Sequence, residues 1–158
     1  MDFVDSFTNF KEQPRAKLVD EFYDKLHDFL KNKCESFLDL WGGGDSAVLF
    51  FNLHERERGL KAIHDTFRQI RDVLSKVPAG TTLEPAQITF QESGELAFAV
   101  LMEKAVSDLS AKVVVSEHRA TIAWRRFDGH WKVVHYHTDT YDRRMEAISE
   151  MLRRYERK

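Results

Sequence analysis

Hydrophobic residues recur at helical spacing in two stretches of the first half of the chain. The first runs from about residue 15 to residue 38 and predicts one amphipathic helix. Its apolar positions are Leu18, Phe22, Leu26, Phe29, Leu30, Cys34, Phe37 and Leu38. The glycines at positions 42 to 44 predict the end of this helix. A second helix is predicted to begin at Gly59 and to end near Pro78, with an apolar stripe made of Leu60, Ile63, Phe67, Ile70, Leu74 and Val77.

Strand-forming residues dominate the rest of the chain. A short apolar run predicts one buried strand at residues 47 to 53, and further strands are predicted at residues 87 to 91, 96 to 106, 112 to 127 and 131 to 138. Asp128 and Gly129 predict a tight turn between the last two. One more helix is predicted at residues 141 to 157. Helices followed by a run of antiparallel strands indicate an α+β fold, with the helices packed on one face of a curved sheet.

The last predicted hairpin carries the most informative polar residues. A two-residue turn would pair Ile122 with His135 across the hairpin. Because side chains alternate along a strand, His135, His137 and Asp139 would then lie on the inner face of the sheet. The apolar residues expected on the same face are Ile122, Trp124, Trp131 and Val133. We therefore expect two imidazoles and a carboxylate to form one wall of a pocket.

Several kinds of chemistry are open to such a pocket. Histidines titrate near neutral pH and can donate or accept protons, and Asp139 could orient His137 or act as a base. Glu103 ends an otherwise apolar strand, so it either faces the pocket or marks where the strand leaves the core. Alternatively, the histidines are satisfied core residues, or they bind a metal ion together with His54 or Glu103. No serine lies in a Gly-x-Ser-x-Gly context and Cys34 has no evident partner base, so no covalent nucleophile is expected.

Composition and charge narrow the class of protein. A chain of 158 residues fits one domain and can bury a substantial core. The formal net charge of -2 argues against a nucleic-acid-binding protein, which would carry a concentrated basic surface. Cys34 is the only cysteine, so no intramolecular disulfide can form. The first residues lack the pattern of a signal peptide, and no apolar run approaches the ~20 residues of a membrane helix, so we expect a cytoplasmic protein without membrane contacts.

The hairpin residues also form a recognisable motif. The run Trp124-Arg-Arg-x-Asp-Gly-x-Trp-Lys-Val-Val-His-x-His-x-Asp139 resembles the C-terminal signature of SnoaL-like proteins in the nuclear transport factor 2-like superfamily. The strand that ends at Glu103 and the helix start at Arg58-Gly59 are similar to other parts of that family. The resemblance covers roughly residues 15 to 140, which implies that these residues form the core of a single domain. The resemblance implies a cone-shaped α+β barrel, in which a curved antiparallel sheet wraps around N-terminal helices. It also implies a small-molecule ligand inside the cone and a homodimer formed through the outer sheet face.

The same resemblance implies two classes of function. One is a cofactor-independent isomerase or cyclase, of the ketosteroid isomerase or polyketide cyclase type, with Asp139 or Glu103 as base and His135 or His137 polarising a carbonyl. The other is a non-catalytic ligand-binding or dimerisation module. Ligand contacts are expected from Trp41, Trp124, Trp131, Ile122 and Arg119. No cofactor and no metal ion are expected, and the C-terminal helix is expected to cover the cone or to join the dimer interface.

Overall fold

The computed structural model describes residues 16–51, 55–76, 80–108 and 112–140. These contain two α-helices, α1 (Lys17–Asn32) and α2 (Leu60–Leu74), and two short 3₁₀ helices, Glu35–Leu40 and Gly44–Ser46. The strands are β1 (Val48–Phe50), β2 (Glu57–Arg58), β3 (Thr81–Ser93), β4 (Leu96–Asp108), β5 (Val113–Phe127) and β6 (His130–Thr140). The predicted C-terminal helix, with its role as a lid or interface, lies outside the described residues. No helix within the described ranges is long and apolar enough to cross a membrane.

The described strands form one curved sheet in the order β2-β1-β6-β5-β4-β3. Neighbouring strands are antiparallel except for β1 and β6, which run parallel. One face of each helix is apolar, and these faces pack with the inner side chains of the sheet into a single core cluster. The α+β fold predicted from the order of helices and strands is confirmed.

The first predicted helix is in fact two elements. α1 ends at Asn32 because Lys33 adopts a left-handed conformation, with φ of 55°, and the N–H of Cys34 donates to the carbonyl of Asp28 at 3.4 Å. The 3₁₀ helix that follows buries Phe37 and Leu38, so the apolar spacing continues although the helix does not. A spacing of three to four residues fits both kinds of helix, and the sequence pattern therefore missed the break.

The β5–β6 hairpin confirms the predicted turn but not the predicted register. Asp128 and Gly129 have φ of 48° and 80°, as a type I′ turn requires. Trp124 pairs with Val133, as expected, but the register then shifts and Ala123 pairs with His135. Val134 is the extra residue of a β-bulge, a site where two residues of one strand oppose one of the other.

The bulge reverses the faces of the remainder of β6, because a shift of one residue moves each following side chain to the opposite side of a sheet. Tyr136 and Thr138 are buried on the inner face. His135, His137 and Asp139 pair with Ala123, Thr121 and Arg119 on the outer face instead. The prediction that these three polar residues lie on the inner wall of the cone is therefore wrong.

Candidate functional site

A fully buried carboxylate lies at the centre of the inner face. Glu103 is 0% exposed and follows the apolar inner residues of β4. Its Oε2 accepts hydrogen bonds from the hydroxyl of Tyr23, at 2.8 Å, and from the hydroxyl of Tyr136. Its Oε1 lies 3.1 Å from Nδ1 of His118. These three partners satisfy a group that would otherwise be very costly to bury.

Three different elements bring these partners to Glu103. Tyr23 lies on the buried side of α1, one turn after Val19. His118 pairs directly with Glu103 across β4 and β5, so their side chains share the inner face. Tyr136 reaches the inner face because of the bulge at Val134.

The hydrogen-bond network determines the tautomer of His118. A carboxylate that accepts from two hydroxyl groups is an acceptor toward its third partner as well, so Nδ1 of His118 carries the proton and donates to Glu103. In the neutral imidazole the other ring nitrogen, Nε2, is then a hydrogen-bond acceptor, and it lies 3.0 Å from the Oγ of Ser116. The Ser116 hydroxyl therefore donates to Nε2.

The two tyrosines remain hydrogen-bond donors throughout the neutral pH range. Burial, reinforced by the neighbouring Glu103 carboxylate, raises the pKa of Tyr136 well above its usual value. The same two causes raise the pKa of Tyr23. A phenolate beside a buried carboxylate would bring two negative charges together in a medium of low polarity, so both hydroxyl groups keep their protons.

A cavity of about 230 Å³ lies beside this cluster, between the helices and the sheet. Its helix side is apolar and includes Leu26, Leu30, Phe67, Ile70 and Leu74. Its sheet side carries hydroxyl groups and an imidazole, from Thr81, Ser107, Ser116, His118, Tyr136 and Thr140. Among the described residues that line it, none is a lysine, arginine, aspartate or glutamate. The helix side of the cavity is thus apolar, and its sheet side combines uncharged polar groups with the apolar side chains of Leu83 and Ala105.

Of the predicted catalytic residues, the structure places only Glu103 in this cluster. Asp139 lies on the outer face, where its carboxylate accepts two hydrogen bonds from the Arg119 guanidinium, at 2.7 and 2.9 Å. Nδ1 of His135 lies 3.1 Å from the carbonyl oxygen of Val48, and burial lowers the pKa of the His135 imidazole. His137 stacks on the ring of Phe50, with centroids 5.2 Å apart. These side chains are separated from the cavity by the sheet itself.

The predicted ligand-binding residues also lie elsewhere. Trp41, Trp124 and Ile122 are buried in the packed core, and Trp41 contacts Phe67 while Trp124 contacts Phe90. The Trp131 ring faces the Arg126 guanidinium, 5.0 Å away, and Arg119 is on the outer face. None of the five predicted residues lines the 230 Å³ cavity. The inner side chains near the tip of the hairpin pack into the core cluster, and the cavity lies toward the other end of β5.

Four residues of the hydrogen-bonded cluster were missed, and two of them had a signal in the sequence. Extending the alternation of the inner positions of β5 backwards from Ile122 by two, four and six residues reaches Ala120, His118 and Ser116. Tyr136 could not be found in this way, because the sequence does not mark the bulge. Tyr23 fits the apolar stripe of α1 but offers no sign that its hydroxyl meets a carboxylate 80 residues away.

Metal binding has no support in the part of the chain that the structure describes. Within those residues, no group of three or more histidine, cysteine, aspartate or glutamate side chains is arranged to hold a metal ion. His54, considered as a possible ligand, lies outside the described residues.

Comparison with known proteins identifies the fold. The sequence model of a family described as a SnoaL-like domain matches residues 19–138, a range that contains all five residues of the hydrogen-bonded cluster. A nuclear transport factor 2-like protein of unknown function from Pseudomonas putida KT2440 has a TM-score of 0.63 and 20% identity, over 77% of this chain and 83% of that chain. No curated protein matches the sequence.

Two other solved structures carry functional names. A candidate dehydratase of the nuclear transport factor 2-like family from Streptomyces avermitilis has a TM-score of 0.64 and 15% identity, over 78% of this chain and 94% of that chain. A candidate calcium/calmodulin-dependent protein kinase II association domain from Xanthomonas campestris has a TM-score of 0.64 and 16% identity, over 82% and 89%. At these identities the likeness shows a shared fold, and one fold hosts several functions.

Proposed function

This chain belongs to the SnoaL-like domain family, and on that basis we propose that His118 and Glu103 form the acid–base centre of an enzyme that acts on a small neutral molecule without a cofactor. The reaction class is isomerisation, cyclisation or dehydration, in which a proton leaves a carbon next to a carbonyl group. The name of the candidate dehydratase from Streptomyces avermitilis is consistent with this class, although its likeness to this chain is one of fold.

The observation that carries the proposal is the pairing of a cavity-lining imidazole with a buried carboxylate. His118 lines the cavity, and its Nδ1 is held by Glu103 at 3.1 Å. Once the Ser116 hydroxyl rotates away from Nε2, the lone pair of that nitrogen can accept a proton from a substrate, and Glu103 then stabilises the imidazolium that forms. Glu103 does not itself line the cavity, so we assign it a positioning role and assign the proton transfer to His118.

The shape and chemistry of the cavity support a neutral ring compound as substrate. A cavity of about 150 Å³ is enough to hold benzene, and this one measures about 230 Å³, which suits one or two rings with small substituents. The apolar helix side would bind the ring, and the hydroxyl groups of the sheet side would bind its oxygen atoms. The lining described above carries no charged side chain to pair with a phosphate or carboxylate.

Hydrogen–deuterium exchange tests the proposal without knowledge of the natural substrate. Ketones and hydroxyketones of one or two rings are incubated with the full-length protein in D₂O, and exchange next to the carbonyl is followed by NMR. We expect catalysed exchange with at least one compound, and a loss of about 10²–10⁴-fold in His118→Gln, the range that general acid–base catalysis contributes. His130→Gln is the control, because His130 is exposed at the hairpin turn.

The competing function is a non-catalytic binding module. A compound that raises the melting temperature of the protein, and so binds it, but undergoes no catalysed exchange would support that alternative and contradict the acid–base proposal. Circular dichroism of His118→Gln shows whether the variant is folded, so that a loss of activity is not mistaken for a loss of folding.

A homodimer through the outer sheet face is the second part of the proposal. The register aligns Phe50, His137, Thr121 and Val100 in one row across four strands, and Phe98 lies in the adjacent row. Phe50, Phe98 and Val100 are 41–48% exposed, so this face of the sheet presents several large apolar side chains to solvent. A second copy of the same face would cover them, as in other two-fold symmetric assemblies.

A further inference from the structure

Ser116, His118 and Glu103 form a continuous hydrogen-bonded chain that ends at the cavity. We propose that Ser116 is a nucleophile activated by His118 and Glu103, and that the cavity hydrolyses small neutral esters or lactones through an acyl-enzyme on Ser116. This inference rests on the proposed acid–base role of His118 and Glu103, and it adds to that role a residue that forms a covalent bond with the substrate.

The distances and the order of the groups match those of a nucleophile, a base and a residue that orients the base. Ser116 Oγ lies 3.0 Å from His118 Nε2, and His118 Nδ1 lies 3.1 Å from Glu103 Oε1. Both distances fall within the ~2.6–3.2 Å expected of such pairs. The sequence gives no indication of this arrangement, because Ser116 is on β5 without a Gly-x-Ser-x-Gly context and Glu103 is on the neighbouring strand.

The tautomer of His118 favours activation of the serine. Nδ1 donates to Glu103, so Nε2 accepts the hydroxyl proton of Ser116. The opposite tautomer would donate to Ser116 Oγ and could not remove its proton. Tyr23 and Tyr136 contribute indirectly, because they occupy Oε2 of Glu103 and leave Oε1 to His118.

Burial is graded along the chain of residues. Glu103 is fully buried, His118 is 5% exposed, and Ser116 is partly exposed and lines the cavity. The charge-bearing member is thus shielded from water, while the attacking oxygen is accessible to a substrate. Such an arrangement places the reactive atom at the surface of the cavity and keeps the groups that activate it rigid.

Each step of the reaction balances. Ser116 Oγ attacks the carbonyl carbon of the ester as its proton moves to His118 Nε2, and a new carbon–oxygen bond forms. The bond to the alcohol oxygen then breaks, and that oxygen takes the proton from Nε2. A water molecule attacks the acyl-enzyme, gives one proton to Nε2, and releases the acid as the proton returns to Ser116. The net reaction converts one ester and one water into an acid and an alcohol.

The cavity also contains hydroxyl donors for the negatively charged oxygen that forms during the attack. Thr81 Oγ1 and Ser107 Oγ lie 2.9 Å apart on its sheet side, and either can be the donor. In such a pair, one hydroxyl uses its hydrogen on the other, and the second hydroxyl keeps a hydrogen for the substrate. We therefore expect this pair to bind the substrate oxygen.

Covalent labelling tests the inference directly. The full-length protein is treated with a small fluorophosphonate, which reacts with activated serines, and the modified residue is identified by mass spectrometry. We expect one adduct, on Ser116, and a burst of one equivalent of p-nitrophenol from p-nitrophenyl acetate. Ser107 is the internal comparison, because it lines the same cavity but has Thr81 rather than an imidazole as its partner.

Variants show whether the reactivity depends on the hydrogen-bonded chain. Glu103→Gln keeps the shape of the side chain but lets its amide donate to Nδ1, which reverses the tautomer; the matching change in a serine protease triad lowers kcat about 10⁴-fold. We expect labelling to slow by 10³-fold or more in Glu103→Gln and in His118→Gln, and to be absent in Ser116→Ala. His130→Gln is the control for an unrelated histidine.

Specific outcomes would overturn the inference. These are no adduct on Ser116, an adduct on Ser107 at the same rate, or labelling of Ser116 that is equally fast in folded His118→Gln. The two proposals fail separately in the unmodified protein. Catalysed deuterium exchange without labelling removes only the serine nucleophile, whereas labelling without exchange keeps it and removes only carbon acid–base catalysis.

Discussion

At the scale of single residues, Glu103 connects stability and chemistry. Two tyrosine hydroxyls and one imidazole donate to its buried carboxylate, so the removal of any one partner leaves a polar group without full compensation. The same contacts fix the orientation and the tautomer of His118. Glu103 therefore positions the proposed reactive group, the imidazole of His118. Substitution of any hydrogen-bond partner of Glu103 should also lower the free energy of unfolding.

Alkaline pH should weaken the folded state through Tyr136. Its pKa is raised by burial and by Glu103, so the folded chain keeps the phenol proton at a pH where the unfolded chain, with a pKa of about 10, has released it. The contribution of Tyr136 to the free energy of unfolding is complete below about pH 10 and is lost as the pH rises further. The free energy of unfolding should therefore fall above about pH 10. Urea unfolding measured from pH 8 to pH 11 shows how steeply the free energy of unfolding falls with pH.

Tyr136→Phe provides the comparison. The variant should lose about 1.5–3 kcal/mol at neutral pH, because Glu103 loses a hydrogen bond to its charged form. Above pH 10 its stability should fall less steeply than that of the unmodified protein, and Tyr23→Phe should behave in the same direction. If the free energy of unfolding fell equally steeply with pH in the unmodified protein and in both variants, the buried tyrosines would not be the cause of the alkaline destabilisation.

At the scale of elements, the end of α1 offers a test of backbone strain. Lys33 has φ of 55°, a conformation that costs a residue with a side chain about 1–2 kcal/mol. Lys33→Gly should raise the free energy of unfolding by about 0.5–1 kcal/mol, since glycine removes this cost but loses some flexibility on folding. Chemical denaturation measures the difference.

Lys31→Gly is the matched control for that substitution. Lys31 lies in the last turn of the same helix, where its backbone is helical, so glycine should lower stability by about 1 kcal/mol. A gain in the free energy of unfolding at Lys33 and a loss at Lys31, two residues away, would show that the gain comes from the left-handed backbone of Lys33. A loss at both positions would refute that explanation.

Elements also show what the sequence could and could not predict. The periodic apolar residues of α2 and the Asp128-Gly129 turn were sufficient for both to be predicted correctly. The bulge was not predictable, because Lys132, Val133 and Val134 are all compatible with a regular strand. Because of the bulge, two side chains of β6 were assigned to the wrong faces. Tyr136, the partner of Glu103, was predicted on the outer face, and His135 was predicted on the inner face, although Glu103 itself was predicted as a site residue.

At the scale of the whole molecule, the exposed apolar residues of the outer face predict self-association. Phe98→Lys should convert a dimer to a monomer at micromolar concentration, because a charge would be buried without a partner within the proposed interface. Light scattering coupled to size-exclusion chromatography measures the mass. Val73→Lys is the control, since Val73 is 62% exposed on α2 and lies away from the sheet face.

Two results would contradict the proposed dimer. One is a monomeric mass for the unmodified protein over the full concentration range. The other is an equal change of mass in Val73→Lys, which would mean that general loss of surface hydrophobicity, rather than this face, controls association.

The bulge at Val134 has a consequence for the comparison of relatives. A single inserted or deleted residue in this strand decides which of two sets of side chains meets the ligand and which meets a partner. Two relatives could therefore carry the same His-x-His motif and expose it on opposite sides of the sheet. Transfer of functional residues between such proteins requires the gap to be placed correctly, since an alignment that is shifted by one position exchanges the interior of one protein for the exterior of the other.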